Sequence, residues 1–153
     1  KKHTLHGYQI IKDQNISKDI KLGILMHHEK IDGSGYPQCL KGPDIHPFGK
    51  LIAIADIYDA MTSNRSYHKK FSPFKVINMF EQESYGLLDT KFLFVFLENI
   101  AHNYLGKEIK LSTGEQAKVV FLHNNSPSRP IVQVDNVMID LLFEPTISID
   151  EIM

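Results

Sequence analysis

The feature that most restricts the fold of this chain is a change of hydrophobic period near Gly106. Up to about Leu105, apolar and half-apolar side chains recur every three or four residues, as amphipathic helices require. Leu5, Tyr8 and Ile11 follow that spacing, and so do Ile20, Ile24, His27 and His28. Beyond Gly106 the pattern becomes short β-branched segments at Glu108 to Leu111, Lys118 to Leu122, Ile131 to Asp135 and Val137 to Leu142. Turn formers such as Ser112-Thr113-Gly114 and Asn124-Asn125-Ser126-Pro127 divide them, which predicts a small antiparallel sheet. The expected architecture is mainly α, with a helical domain over 1–105 and a small β-rich extension over 106–153.

Local signals place the helices. Ser17 caps the second one. A long helix is expected from about Pro47, with Leu51, Ile54, Ala55, Tyr58 and Met61 on one side. Ser72-Pro73 opens another to about Tyr85, and Asp89 caps a last one to about Tyr104, which Gly106 ends. Between the second and third helices, Asp32-Gly33-Ser34-Gly35-Tyr36-Pro37 and Gly42-Pro43-Asp44 predict an ordered loop.

Composition narrows the functional classes. With 42% hydrophobic and 23% charged residues, the 153-residue chain can close a core as a soluble protein. The net charge of −1 removes any global electrostatic case for a nucleic-acid polymer or a membrane surface. Phe92 to Leu97, the longest strongly apolar run, is far too short for a membrane span. The lone Cys39 excludes an internal disulfide and fits a reducing compartment, so a cytoplasmic location is expected. Seven of the eight histidines precede Leu105, which directs the search for chemistry to the helical part.

There, His27-His28-Glu29 runs straight into the glycine-rich loop. On an ideal helix neighbouring side chains diverge by about 100°, so two adjacent imidazoles suit two ions side by side better than one. Both border the apolar stripe of Ile20, Ile24 and Leu25, and inward imidazoles need partners that a metal supplies. Ordinary hydrogen-bonded histidines are the plainer alternative. Asp56 and Asp59 share a face of the long helix at i and i+3, and Asp56, between Ala55 and Ile57, is expected to point inward as a metal ligand; a polar helix face is the alternative. His3, four residues before Gly7, is a weak candidate taken alone. The cluster Arg65, Tyr67, His68, Lys69, Lys70 reads as a phosphate clamp, or as cations favoured near a helix C-terminus. Gly33 and Gly35 permit positive φ or close approach, and Tyr36 offers a ring to a planar base. Imidazole and carboxylate donors beside such a clamp suit phosphodiester hydrolysis, and fit iron, manganese, zinc or nickel equally.

The run His27 to Pro37, continued by Leu40-Lys41-Gly42 and Ile45, resembles the signature of the HD-GYP family. Ile52 to Tyr67 is similar to that family's next helix with its Arg-x-Tyr ending, and His3-Thr4-Leu5-His6-Gly7 resembles its His-Pro-x-x-Gly element. The likeness covers about residues 1 to 105 and rests on two long motifs in order. It implies a partial HD-superfamily helical bundle and a phosphodiesterase that hydrolyses cyclic di-GMP to the linear dinucleotide or GMP with two or three divalent transition-metal ions. By the resemblance, His3, His27, His28 and Asp56 are metal ligands, and Gly35, Tyr36, Pro37, Arg65, His68 and Lys69 contact substrate. An upstream sensor or receiver domain and a homodimer are the implied partners. The segments Lys110 to Gly114 and Arg129-Pro130-Ile131 resemble a β extension of some members.

The family's His-Asp pair lies upstream of the His-Pro-x-x-Gly element, and no His-Asp dipeptide occurs here. The chain is therefore expected to be the C-terminal portion of a longer enzyme and inactive alone, its catalytic residues not assignable within it. Thr4 stands where the family has proline, Cys39 where it usually has glycine, and His68 where it usually has a basic residue. The alternatives to a phosphodiesterase of cyclic di-GMP are a non-catalytic module that binds cyclic di-GMP or a protein partner, and a hydrolase of another cyclic dinucleotide.

Overall fold

The computed structural model describes residues 2–64, 70–83 and 86–153. Among them are five α-helices followed by five strands, divided into two compact units. The first is Lys1–Tyr58 with Tyr85–Phe94, and the second is Asp59–Ser84 with Val95–Met153. The chain is thus a helical part with a β appendage, and the sheet is large enough that "mainly α" understates it.

The first unit holds α1 (His3–Ile11), α2 (Lys18–Met26) and the greater part of α3 (Pro47–Thr62). Ser17 caps α2 as its sequence predicts, its hydroxyl accepting from the Asp19 amide at 3.2 Å. Small residues let these helices approach. A Cβ on Gly7 would lie 3.0 Å from Ile24 Cγ2, and one on Gly23 would lie 3.0 Å from Ile52 Cδ1 and 3.1 Å from Phe48 Cβ. Gly49 is as crowded, with Met26 Cβ at 2.8 Å. The buried residues of α3 in this unit are therefore Gly49, Ala53 and Ile54. Leu51, expected on the core side, is 43% exposed. Ile20 is likewise 45% exposed, because α2 turns Gly23 and Leu25 inward instead. Lys50 and Asp89 pair at 2.9 Å, and Asp89 also caps α5 (Thr90–His102) through the amide of Lys91.

The second unit contains α4 (Pro73–Glu83), the remainder of α5 and a five-stranded antiparallel sheet. Strands β1 (Glu108–Leu111), β2 (Gln116–His123), β3 (Ser126–Val134), β4 (Val137–Asp140) and β5 (Ile149–Ile152) lie in the order β4-β3-β2-β1-β5. Ile109, Leu111, Ala117, Val119 and Val132 alternate onto the buried face, where α4 brings Phe74, Val76, Ile77 and Phe80. Each of these side chains other than Ala117 contributes about 1.5–3 kcal/mol by leaving water. Four strands overlap the β-branched segments of the sequence, but β3 begins at Ser126, so Ser126 and Pro127, expected in a turn, are already in the strand. The fifth, Ile149–Ile152, is short and acidic and has only Ile149 buried, so period-2 alternation does not reveal it. It is held in place from a distance, by Ser72 Oγ donating to the Ile149 carbonyl at 2.7 Å and by Arg129 bridging the carbonyls of Leu141, Glu144 and Ile147.

Candidate metal centre and the loop behind it

The close approach of α1 and α2 at Gly7 sets His3 against the end of α2. His27 is the C-cap residue of α2, and His28 follows it outside the helix. The 100° divergence of an ideal helix therefore does not apply to this pair. Their ring centroids lie 4.4 Å apart, and His3 Nε2 stands 3.2 Å from His27 Nε2 and 3.1 Å from His28 Nε2. Ligand nitrogens of all three residues fall within 4.8 Å of one another.

The tautomers favour a cation at this convergence. His27 Nδ1 lies 2.8 Å from the Ile24 carbonyl, which can only accept, so Nδ1 carries the proton and Nε2 presents a lone pair. His3 can donate one Nε2 proton to one neighbour only, which leaves a second pair of facing lone pairs unsatisfied. One positive ion satisfies all three. Burial is the largest influence on His28, followed by the charge of His27, and together they hold its pKa below the ordinary histidine value. Asp56 opposes that shift. His28 is thus neutral at physiological pH, the form that ligates metal.

Asp56 does not point inward: it is exposed on α3 and stands outside the three-histidine cluster. An exposed carboxylate keeps its hydration and avoids the cost of burial. It is near enough for its charge to raise the pKa of Tyr36, where burial is the larger cause. Asp59 is exposed too and accepts from Ser63 Oγ at 3.2 Å, the bland role open to it from sequence. Arg65, His68 and Lys69 lie outside the described residues.

The loop after His28 folds back on the histidines. The Tyr36 amide donates to the His28 carbonyl at 3.1 Å, and the Tyr36 ring stacks on the His28 imidazole at 4.8 Å between centroids. Gly35 is buried behind this pair, where a Cβ would fall 2.4 Å from Lys30 N and 2.6 Å from His28 O. Gly33 takes positive φ (84°). Both glycines thus serve the roles their sequence suggests, one conformational and one steric. Cys39, at the position where the HD-GYP signature usually has glycine, is left-handed at φ 55°. Asp32 caps the turn by accepting from the Ser34 amide and hydroxyl, and these bonds draw its pKa below the ordinary carboxylate range.

One participant escapes the sequence reading. Glu29, next to the histidine pair, is 3% exposed, and its two carboxylate oxygens accept from the amides of Gln38 at 2.7 Å and Leu40 at 2.9 Å. The signal that could have found it is one of accounting. A loop rich in turn formers has many amides without secondary-structure partners, and buried amides require acceptors.

Comparison with known proteins agrees with this architecture. A family model described as HD domain matches residues 1–91. The chain is 27% identical over 132 residues to the cyclic di-GMP phosphodiesterase PdeB of Borreliella burgdorferi, covering 86% of this chain and 35% of that protein. It is 29% identical over 135 residues to the cyclic di-GMP phosphodiesterase PA4108 of Pseudomonas aeruginosa, covering 88% and 32%. It is 40% identical over 79 residues to 3'3'-cGAMP-specific phosphodiesterase 1 of Vibrio cholerae, covering 51% and 18%. The chain spans about a third of the length of the first two of these relatives. No helix among the described residues is long and apolar enough to cross a membrane. On the family match over more than half its length, together with the His27 to Pro37 and Ile52 to Tyr67 motifs, the chain belongs to the HD domain family, among its HD-GYP members.

Proposed function

We propose that the protein to which this chain belongs is a metal-dependent phosphodiesterase that hydrolyses cyclic di-GMP. The observation that carries this reading is the convergence of His3, His27 and His28 through nitrogens within 4.8 Å of one another. His3, His27 and His28 hold divalent metal, with Asp56 supplying the negative charge beside them. When bound, such ions polarise a phosphoryl oxygen and lower the pKa of a water that attacks phosphorus. The chain's own residues bind and orient. His27 is held by the Ile24 carbonyl, and Gly35, Tyr36 and Pro37 form the wall on which the nucleotide rests, the His28 side of the Tyr36 ring being already occupied. Arg65, His68 and Lys69 are assigned to the phosphates from sequence. The relatives' names support cyclic di-GMP as substrate.

The test is hydrolysis of cyclic di-GMP by the full-length protein loaded with manganese or iron, beside His28→Ala and the isolated 153-residue chain. The wild type turns over; His28→Ala falls by more than the roughly 10–100-fold typical of residues behind a ligand; the isolated chain does not turn over. A metal-loaded full-length protein without activity or affinity for cyclic dinucleotides overturns the assignment. A second reading, cleavage of 3'3'-cGAMP, is favoured by the 40% identity to an enzyme of that name. Competition between the two dinucleotides decides between them.

A further inference from the structure

We propose that Glu29 and Tyr36 are positioning residues for the metal centre: Glu29 latches the loop so that Tyr36 lies against His28 and fixes its ring. The inference rests on the metal reading above and adds residues to it.

Metal-binding imidazoles are usually oriented by a hydrogen bond on their other nitrogen. His27 has one, to the Ile24 carbonyl. Among the described residues no carbonyl or carboxylate holds the Nδ1 of His28. What fixes that ring instead is the Tyr36 side chain, stacked on it at 4.8 Å with 23° between the planes. The stack exists only while the loop is folded back. The Tyr36 amide on the His28 carbonyl is one fastening. The other is Glu29, buried and with no cation paired to it among the described residues: both oxygens are satisfied by the amides of Gln38 and Leu40. Those amides flank the left-handed Cys39, an arrangement like the backbone nests that bind anions. A carboxylate offers acceptors to both amides at once. A glutamine offers one acceptor and sets its NH2 against the second donor, so the latch depends on charge and geometry, not on size.

Manganese binding to the full-length protein tests the idea, measured by calorimetry on the wild type, His28→Ala, Glu29→Gln, Tyr36→Leu and Tyr36→Phe. Thermal unfolding in chelator is recorded in parallel. Glu29→Gln and Tyr36→Leu weaken manganese by about 10–100-fold, Tyr36→Phe, which keeps the ring, binds manganese more tightly than Tyr36→Leu, and the unfolding midpoint of Tyr36→Leu in chelator stays near wild type. Wild-type affinity in Glu29→Gln and Tyr36→Leu, with loss in His28→Ala, overturns the positioning role and leaves the metal reading standing. Absence of manganese binding by the wild type overturns the metal reading, and this inference with it. Should Glu29→Gln fail to fold, the Tyr36 pair decides.

Discussion

Tyr36 is fastened to His28 twice, by ring stacking at 4.8 Å between centroids and by its amide on the His28 carbonyl at 3.1 Å. A candidate metal ligand and the loop that would face substrate therefore move together. Disturbing the loop backbone disturbs the imidazole.

Gly35→Ala should do this most severely. The added methyl meets Lys30 N at 2.4 Å, Glu29 Cα at 2.5 Å and His28 O at 2.6 Å, all backbone atoms that cannot swing aside. A loss of at least about 1–3 kcal/mol is expected, as for overpacking elsewhere. Gly42→Ala is the control, since its nearest neighbour, Ile31 Cβ, lies at an ordinary 3.5 Å. Denaturant unfolding of the two variants side by side checks the contrast, and equal midpoints would refute it.

Removing metal should lower stability. The proposed ion is the common partner of three facing imidazole nitrogens within 4.8 Å, and its removal leaves them facing one another. A ligand at a hundred times its dissociation constant contributes about 2.7 kcal/mol. The melting temperature of the full-length protein should fall in chelator and recover on adding manganese. His28→Ala should melt alike in both conditions.

Cys39→Gly should stabilise the loop. A left-handed conformation costs a non-glycine residue roughly 1–2 kcal/mol, and Cys39 adopts φ 55°. Glycine removes that cost but gives back part of it through greater chain entropy when unfolded, and it forfeits the weak Sγ contact to the Gly35 carbonyl at 3.3 Å. A net gain of up to about 1 kcal/mol is expected by denaturant titration.

The Lys50–Asp89 pair makes the first unit sensitive to acid. The hydrogen bond from Lys50 holds the Asp89 carboxyl below its ordinary range, aided by the amides of Phe92 and Lys91. A depressed folded-state pKa contributes stability that is present above the unfolded value and lost as pH falls through the folded one. Asp89→Asn should therefore cost stability at pH 7 and progressively less below pH about 4. A penalty independent of pH would contradict the assignment.

Glu81 has the opposite sign. Burial raises its pKa above the ordinary carboxylate value, against the opposing hydrogen bonds from Ser128 and the charge of Arg129. Its contribution is complete below the unfolded pKa and is lost as pH rises through the folded one. Glu81→Gln keeps an acceptor for the Ser128 amide, which donates at 3.1 Å in the wild type. The variant should lack that slope, so its stability relative to wild type should improve from pH 4 to pH 7. Parallel pH profiles for the two proteins would rule this out.

Much of the architecture was legible in local chemistry. The Ser17 and Asp89 caps, the turn formers and the alternation of Ile109, Leu111, Ala117 and Val119 act between residues near in sequence, so composition and spacing suffice to read them. The side of a helix that is buried is different. Leu51 and Ile20 are apolar yet exposed, because Gly49 and Gly23 are where neighbouring helices come closest. Apolarity marks what can be buried, and shape decides what is.

The sequence by itself determined the helix-to-strand order, the glycine loop and the histidines that recognition of the family rests on. Only the tertiary structure decided that α2 ends before His27, so that two neighbouring imidazoles converge instead of diverging, that Asp56 stays in solvent, and that Glu29 is interior. The physical reason is range. Caps and turns are settled within a few residues, whereas the contact of His3 with His28 and the bonds of Glu29 to Gln38 and Leu40 exist only after distant backbone has been packed together.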